Sequence, residues 1–204
     1  MIIHTSFVQL ANLPQGFVQN ASSSFTDQER TYSASMTDWL QQTEWLCGRI
    51  LLRYLIAGAY GVSRNSIIIH TRSDGQLIAE TPAGQVHVSH SRIPGMWVGA
   101  TTKAHPIGVD LVNIADFPVD VNGVDVDADA WARMEALAKL TSRGMAWALT
   151  SACYPVDGLI STPTGDRYRE ASIPTLPVDV RAVLLGPAEP HWEMRTVDVI
   201  SKIH

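Results

Sequence analysis

Four short stretches of the chain carry residue types that could do chemistry together. In Ile107-Gly-Val-Asp110-Leu-Val112 an aspartate stands in the middle of an apolar strand pattern. Strand alternation puts it on one face with Gly108 and Val112, and puts Ile107, Val109 and Leu111 on the other. A carboxylate so placed is costly to bury unless a hydrogen-bond donor, an arginine or a metal satisfies it. In Trp131-Ala-Arg-Met-Glu135-Ala-Leu-Ala-Lys139, helical spacing aligns Trp131, Glu135 and Lys139 in one row, each a turn above the last. That row is either a solvated stripe, its Glu–Lys pair worth about 0.3–0.5 kcal/mol, or a strip holding a proton acceptor and a cation. The second reading needs another acid and an anion-binding surface opposite.

Ser89-His90-Ser91-Arg92 ends a strand pattern with hydroxyls, an imidazole and a cation. Such groups, with exposed backbone amides, can grip a phosphate; the same string also makes an ordinary hydrogen-bonded turn. Arg49 and Arg53 lie four apart in Trp45-Leu-Cys-Gly-Arg-Ile-Leu-Leu-Arg53 and share a helix face. From that segment alone they read as two solvated arginines beside a core helix. No Gly-x-Ser-x-Gly elbow, P-loop, Gly-x-Gly-x-x-Gly, His-Glu-x-x-His or paired-Cys motif is present. Asp125, Asp127 and Asp129 begin like a calcium loop, but Ala130 and Ala136 stand where its glycine and closing glutamate belong, so they read as helix capping.

The elements that must position these residues follow from periodicity and turn chemistry. Strands are expected over Met1–Leu10, Ile67–His70, Gln85–His90, Trp97–Thr102, Ile107–Val112, Arg181–Leu185 and Trp192–Val199. Thr26-Asp-Gln-Glu29 is either a capped helix start or a polar loop. A long helix is expected from Asp38 to Tyr60, stopped by Gly61, and another from Ala130 to Thr141, capped by Asp127 or Asp129. Pro118–Asp129 reads as an acidic loop and 154–178 as an extended one. The fold class is α+β.

The totals narrow the function classes. With 204 residues, 46% hydrophobic, the chain can build a proper core as one domain or two small ones. A net charge of −5 argues against non-specific binding to nucleic acid or an anionic membrane. The charge is uneven: residues 1–103 balance to +1 and 104–204 to −6. One half could suit phosphates and the other a cation. No apolar run reaches 18 residues, and the start lacks a signal peptide's basic and apolar regions. Two cysteines, Cys47 and Cys153, are too few for a disulfide framework; the expectation is a cytoplasmic protein with free thiols.

Taken in order, Trp45-Leu-Cys-Gly-Arg-Ile-Leu-Leu-Arg53, Val88-Ser-His-Ser91, Pro106-Ile-Gly-Val-Asp110 and Trp131-x-x-x-Glu135-Ala-x-x-Lys139 with Arg143-Gly-Met145 resemble the 4′-phosphopantetheinyl transferases of the longer, two-halved (surfactin-synthetase) type. The resemblance implies a pseudo-dimer of two similar α+β halves, here 1–103 and 104–204, with coenzyme A in the cleft between them, so that a monomer can suffice. It implies transfer of the phosphopantetheine arm to a serine of an acyl or peptidyl carrier protein, releasing 3′,5′-bisphosphoadenosine. By the same resemblance Asp110 and Glu135 hold Mg²⁺, and Glu135 takes the serine proton. Lys139 contacts the pyrophosphate, Ser89 and His90 meet the 3′-phosphate, and Arg53 matches the family's coenzyme A helix.

The chain also departs from that pattern. Val112 replaces a frequent second acid, and Met134 stands where a lysine often precedes the glutamate. Glu44 stands near where an arginine would bind the 3′-phosphate, and Gln76 replaces the lysine of a Gly-Lys-Pro turn. The connection from Asn113 to Ala130 is short and lacks an amphipathic pattern. The changes at Glu44, Gln76 and Val112 and the short connection motivate a second reading, a degenerate member that binds coenzyme A or a carrier without transfer. A third, an unrelated hydrolase using Ser89 or Ser91, lacks an elbow and an orienting acid.

Overall fold

The structure is a computed structural model; it describes residues 1–21, 24–121, 123–151, 158–173, 176–189 and 191–203. Its strands are β1 (Ile2–Gln9), β2 (Ile68–Thr71), β3 (Leu77–Glu80), β4 (Val86–Ile93), β5 (Met96–Thr102), β6 (Gly108–Asn113), β7 (Val119–Val121), β8 (Val124–Val126), β9 (Leu159–Ser161), β10 (Arg167–Ser172), β11 (Val180–Pro187) and β12 (Glu193–Thr196). Its α-helices are α1 (Phe17–Asn20), α2 (Asp27–Ala34), α3 (Trp39–Tyr60), α4 (Ala128–Thr141) and α5 (Gly144–Ser151). The fold is mixed α+β. One sheet runs β12-β1-β5-β4-β3-β2, a second β6-β11-β10-β9, and β7-β8 form a hairpin. β12 returns from the end of the chain to pair in parallel with β1.

Alternation explains the layering. Val8, Val86, Val88 and Trp97 face α3 and build a core with Leu51, Leu52, Leu55 and Ile56. The opposite face of the first sheet, with Ile3, Val98 and Ala100, packs on Ile107, Val109, Leu111, Ala182 and Leu184 of the second. The far face of the second sheet meets α4 through Val112, Val183, Leu185, Ala132, Ala136 and Leu137. The order is therefore helix, sheet, sheet, helix, the arrangement that buries every apolar face.

α3 starts where Asp38 accepts from the Leu40 and Gln41 amides at 2.8 and 3.2 Å, and stops at Gly61, which is left-handed with φ 67°. Every residue from Cys47 to Ile56 is buried, so this middle stretch of the helix is enclosed on all sides. This corrects the reading of Arg49 and Arg53 as solvated. Burial pushes the Cys47 thiol up to about 11; Cys153 lies outside the described residues. Thr26 and Glu29 form the reciprocal capping box of α2, so the helix start holds and the polar-loop alternative falls. Asp127 caps α4, accepting from Ala130 N at 2.7 Å.

Two expected loops contain strands. Pro118–Asp129 holds the β7-β8 hairpin, whose turn is closed by Gly123 N donating to Asp120 Oδ1 at 3.1 Å. Its signal was present in the sequence: Asn122-Gly123 between two Val-Asp-Val runs is a hairpin pattern. In 154–178, β9 and β10 pair antiparallel; charged residues at 167, 169 and 170 obscured the pattern. The Trp192–Val199 strand contracts to Glu193–Thr196, and β3 and α5 lie where no element was expected.

Candidate functional site

The site forms where β6, an edge strand of its sheet, runs beside β4 and under α4. β6 pairs with β11 along one edge only. Along the other, side chains replace a backbone ladder: Val109 N donates to Ser89 Oγ at 3.0 Å, and Val109 O accepts from Lys139 Nζ at 3.1 Å. Two residues on, Ser91 Oγ donates to Asp110 Oδ1 at 2.8 Å. Ser89 and Ser91 thus project from one face of β4 onto β6, and His90 between them projects the other way, toward Gly48 of α3. The Ser-His-Ser string is a strand segment joining two sheets, not a turn.

Asp110 is 5% exposed, and the partner it requires is Lys139, whose Nζ lies 2.6 Å from Oδ1. That charge-assisted contact, with the Ser91 hydroxyl, satisfies one carboxylate oxygen twice over. The expected exposed pair between Glu135 and Lys139 does not form, because the buried carboxylate competes more strongly for the ammonium. Glu135 stays half-buried without a hydrogen-bond partner among the described residues. Burial, then the Asp110 charge, raise its pKa; Lys139 opposes them. Gly108 makes the assembly possible, since a Cβ there would lie 1.9 Å from the Ala136 carbonyl oxygen. Only a glycine lets α4 approach β6 this closely.

Two cavities meet at Lys139. One, of about 550 Å³, runs from Ala138, Lys139 and Ser142 past Ser89 and His90 to Arg49, Trp45 and Tyr32. The other, of about 460 Å³, is lined by Asp110, Glu135 and Trp131, with Arg92, Asp116 and Phe117 at its rim. Trp131 packs on Phe117 with ring centroids 6.2 Å apart. The expected row of Trp131, Glu135 and Lys139 therefore faces one cavity, with Asp110 across from it.

The remaining residues singled out from sequence divide. Ser89 and His90 line the larger cavity. His90 is held neutral: burial, then Lys139, Arg49 and Arg92, push its pKa down to about 3, and its Nδ1 is buried without a partner. Arg53 is not brought to either cavity. It is 1% exposed, its Nη2 lies 2.6 Å from Glu29 Oε2, and it stacks over Phe25. Its neighbour Arg49, on the same helix face, is the arginine that reaches the cavity wall. Glu44 pairs with Arg92 at 3.2 Å, and Gln76 Nε2 donates across the cleft to Leu140 O at 2.8 Å. Arg49, Ser91 and Gln76 were all visible as polar residues in the relevant strings; which of them would turn inward was not.

Asp110 and Glu135 offer oxygen donors for a cation where the cavity meets Lys139. Among the described residues Asp110 Oδ2 takes no hydrogen bond, and the Glu135 carboxylate is unengaged. No cluster of three or more metal-ligating side chains exists among the described residues. Two carboxylates beside a cleft suit Mg²⁺, which takes one or two such ligands and completes its shell with phosphates and water.

No family model matches the chain. The 4′-phosphopantetheinyl transferase psf-1 of Bacillus pumilus is similar to it, 25% identical over 126 residues, which are 52% of this chain and 53% of that protein. The chain thus spans about half the length of the curated relative it matches. Among the described residues no helix is long and apolar enough to cross a membrane.

Proposed function

We propose that the protein transfers the 4′-phosphopantetheine arm of coenzyme A to a serine of an acyl or peptidyl carrier protein and releases 3′,5′-bisphosphoadenosine. The observation that carries this reading is Lys139, shared by two cavities and set between a buried aspartate and an unengaged glutamate. The similarity to a 4′-phosphopantetheinyl transferase supports it. In this reading the chain acts as two similar halves, 1–103 and 104–204, each built on a sheet backed by one principal helix, with β12 of the second half added to the first half's sheet and the nucleotide in the larger cavity.

Each side chain then has a definable part. Asp110 and Glu135 would hold Mg²⁺, which when bound supplies positive charge against the pyrophosphate. Glu135 accepts the proton of the carrier serine; its raised pKa makes it a stronger base than an ordinary carboxylate. The serine oxygen bonds to the β-phosphorus, and the phosphoanhydride bond to the α-phosphate breaks. Lys139 stabilises the negative charge gathering on the departing nucleotide. Ser89 and His90 line the path toward the 3′-phosphate, His90 as a neutral donor.

Incubation with apo-carrier proteins, coenzyme A and Mg²⁺, followed by intact-protein mass spectrometry, tests the reading. The expected result is a carrier heavier by one phosphopantetheine group, abolished by Glu135→Gln. No mass gain on several carriers, with no coenzyme A binding by calorimetry, would sink it. Tight coenzyme A binding without turnover, unaffected by Glu135→Ala, would instead favour a binding module. That alternative rests on the changes at Glu44, Gln76 and Val112 and on the short 113–130 connection; Glu44 is paired with Arg92 and Gln76 with Leu140 O.

A further inference from the structure

Arg49 is 7% exposed, yet it makes no ion pair among the described residues. Buried guanidinium groups are ordinarily matched by a carboxylate or another anion, because removing the charge from water is expensive. Glu29, which lines the smaller cavity with Arg49 and acts on it electrostatically, gives its Oε2 to Arg53 at 2.6 Å; its Oε1 takes no hydrogen bond among the described residues and forms no ion pair with Arg49. Arg49 donates from Nη2 to Thr71 Oγ1 at 2.9 Å and from Nη1 to Ile69 O at 3.4 Å, both neutral acceptors. A guanidinium has five N–H groups in a rigid fork; most of this fork remains unused. The group is also held in place, its Cζ lying 4.9 Å from the Trp45 ring centroid.

The surroundings say what is missing. Arg49 lines the 550 Å³ cavity and also a smaller one of about 250 Å³ that continues from it past Glu29 and Ile69. Of the other basic groups on the larger cavity, Lys139 is engaged by Asp110 at 2.6 Å. His87 and His90 both have pKa values lowered first by burial, so neither adds a charge near neutral pH. Asp74, the acid on the same wall, faces Arg72 at 3.4 Å. Among the described residues lining the larger cavity, Arg49 is therefore the permanent cation not held by a carboxylate. Glu44, earlier on the same helix, is no substitute: it is an acid already neutralised by Arg92.

We propose that Arg49 binds the ribose 3′-phosphate of the coenzyme A nucleotide, supplying from five residues further along α3 the charge that position 44 lacks. The inference rests on the reading of the cleft as a coenzyme A site and adds a specificity-determining residue to it. A phosphate monoester carries nearly two charges at neutral pH and offers acceptor oxygens that match the arginine fork. The neutral His90 imidazole and Thr71 hydroxyl stand ready as uncharged partners on the same wall. The pyrophosphate belongs to the other end of the cleft, beside Lys139.

The test is calorimetric binding of coenzyme A and of 3′-dephospho-coenzyme A to the wild type, Arg49→Gln and Arg49→Lys. The wild type is expected to prefer coenzyme A by on the order of 10- to 100-fold, the weight of a charged hydrogen-bonded contact. Arg49→Gln is expected to erase that preference by weakening coenzyme A alone, dephospho-coenzyme A staying within about threefold. Arg49→Lys, which keeps the charge but not the fork, should retain part of it. A wild type that binds both ligands equally overturns the inference while leaving the coenzyme A reading intact, and needs no variant to fold. An Arg49→Gln protein that weakens both ligands equally, with a lowered melting temperature, shows Arg49 only fastening β2 to α3 and likewise overturns it. A wild type that binds neither ligand removes the coenzyme A reading and this assignment with it.

Discussion

Gly108→Ala is the substitution that tests how the site is assembled. An added Cβ would sit 1.9 Å from the Ala136 carbonyl oxygen and 2.9 Å from both the Ala136 carbonyl carbon and the Leu140 nitrogen. Ordinary contact begins near 3.4 Å, so α4 must retreat from β6 by about 1.5 Å. All three obstructing atoms are backbone within a packed helix, so no side-chain rotation relieves the clash. Overpacking of this kind costs about 1–3 kcal/mol and sometimes more, and here the upper end is expected. The displacement also separates Asp110 from Lys139, whose contact is 2.6 Å. Misplacing reacting groups by about 1 Å can cost on the order of 100-fold in rate. Urea denaturation should show the stability loss, and the carrier assay a rate loss beyond what the unfolded fraction explains. Gly58→Ala is the comparison: its Cβ would meet side-chain and not backbone atoms, Val197 Cγ1 at 2.7 Å and the flexible Lys202 at 3.1 Å, so a smaller loss without a rate effect is expected. A Gly108→Ala protein as stable as wild type would refute the close strand–helix approach. One that is destabilised but fully active would refute its link to function.

Three further outcomes are expected. Ser91→Ala removes a buried donor from Asp110 and should cost about 1.5–3 kcal/mol in urea denaturation; a change below about 0.5 kcal/mol would dismiss the contact as incidental. Arg53→Met leaves Glu29 buried without its partner and should cost about 3–5 kcal/mol, largely restored by adding Glu29→Gln; a mild single variant would contradict the enclosed pair. His90 binds protons less readily folded than unfolded, since its pKa falls from 6.5 to about 3. The unfolded chain therefore gains the proton first, and stability is full above about pH 6.5 and lost as pH falls toward 3, by about 2 kcal/mol at pH 5. His90→Asn should flatten that limb of the stability–pH curve, and an unaltered slope would refute the assignment.

Much of this arrangement was legible in the sequence, and the parts that were not share a cause. The face of Asp110, the row of Trp131, Glu135 and Lys139, and the caps of α2, α3 and α4 all depend on local periodicity or side chain–backbone bonds. Local rules suffice for them. The choice between Arg49 and Arg53 does not follow from periodicity, because both sit on one helix face and the helix is enclosed on all sides from Cys47 to Ile56. What separates them is α2, which brings Glu29 to Arg53 from 24 residues away. β9 and β10 were hidden for a related reason. Glu170, which makes its segment look like a solvated loop, is consumed by a two-point contact with Arg133 of α4 at 2.7 and 3.3 Å. A charge in sequence reads as solvent-facing until its distant partner is known.

The same competition bears on Glu135 and Lys139. An isolated helix would pair them, since they stand one turn apart with the acid on the N-terminal side, the favoured orientation. Such a pair gains a few tenths of a kcal/mol at an exposed surface, whereas an unpartnered buried aspartate costs several times that. The ammonium therefore goes to Asp110, and Glu135 is left partly desolvated with its charge opposed by a neighbouring carboxylate. The proposed proton acceptance needs a carboxylate not already held by an ammonium, and a raised pKa makes it the stronger base. Were Asp110 absent or exposed, Lys139 would neutralise Glu135 and the strip would revert to a surface ion pair. In the proposed mechanism the strand aspartate would thus do more than offer a ligand: by drawing the lysine away it leaves the glutamate outside an ion pair.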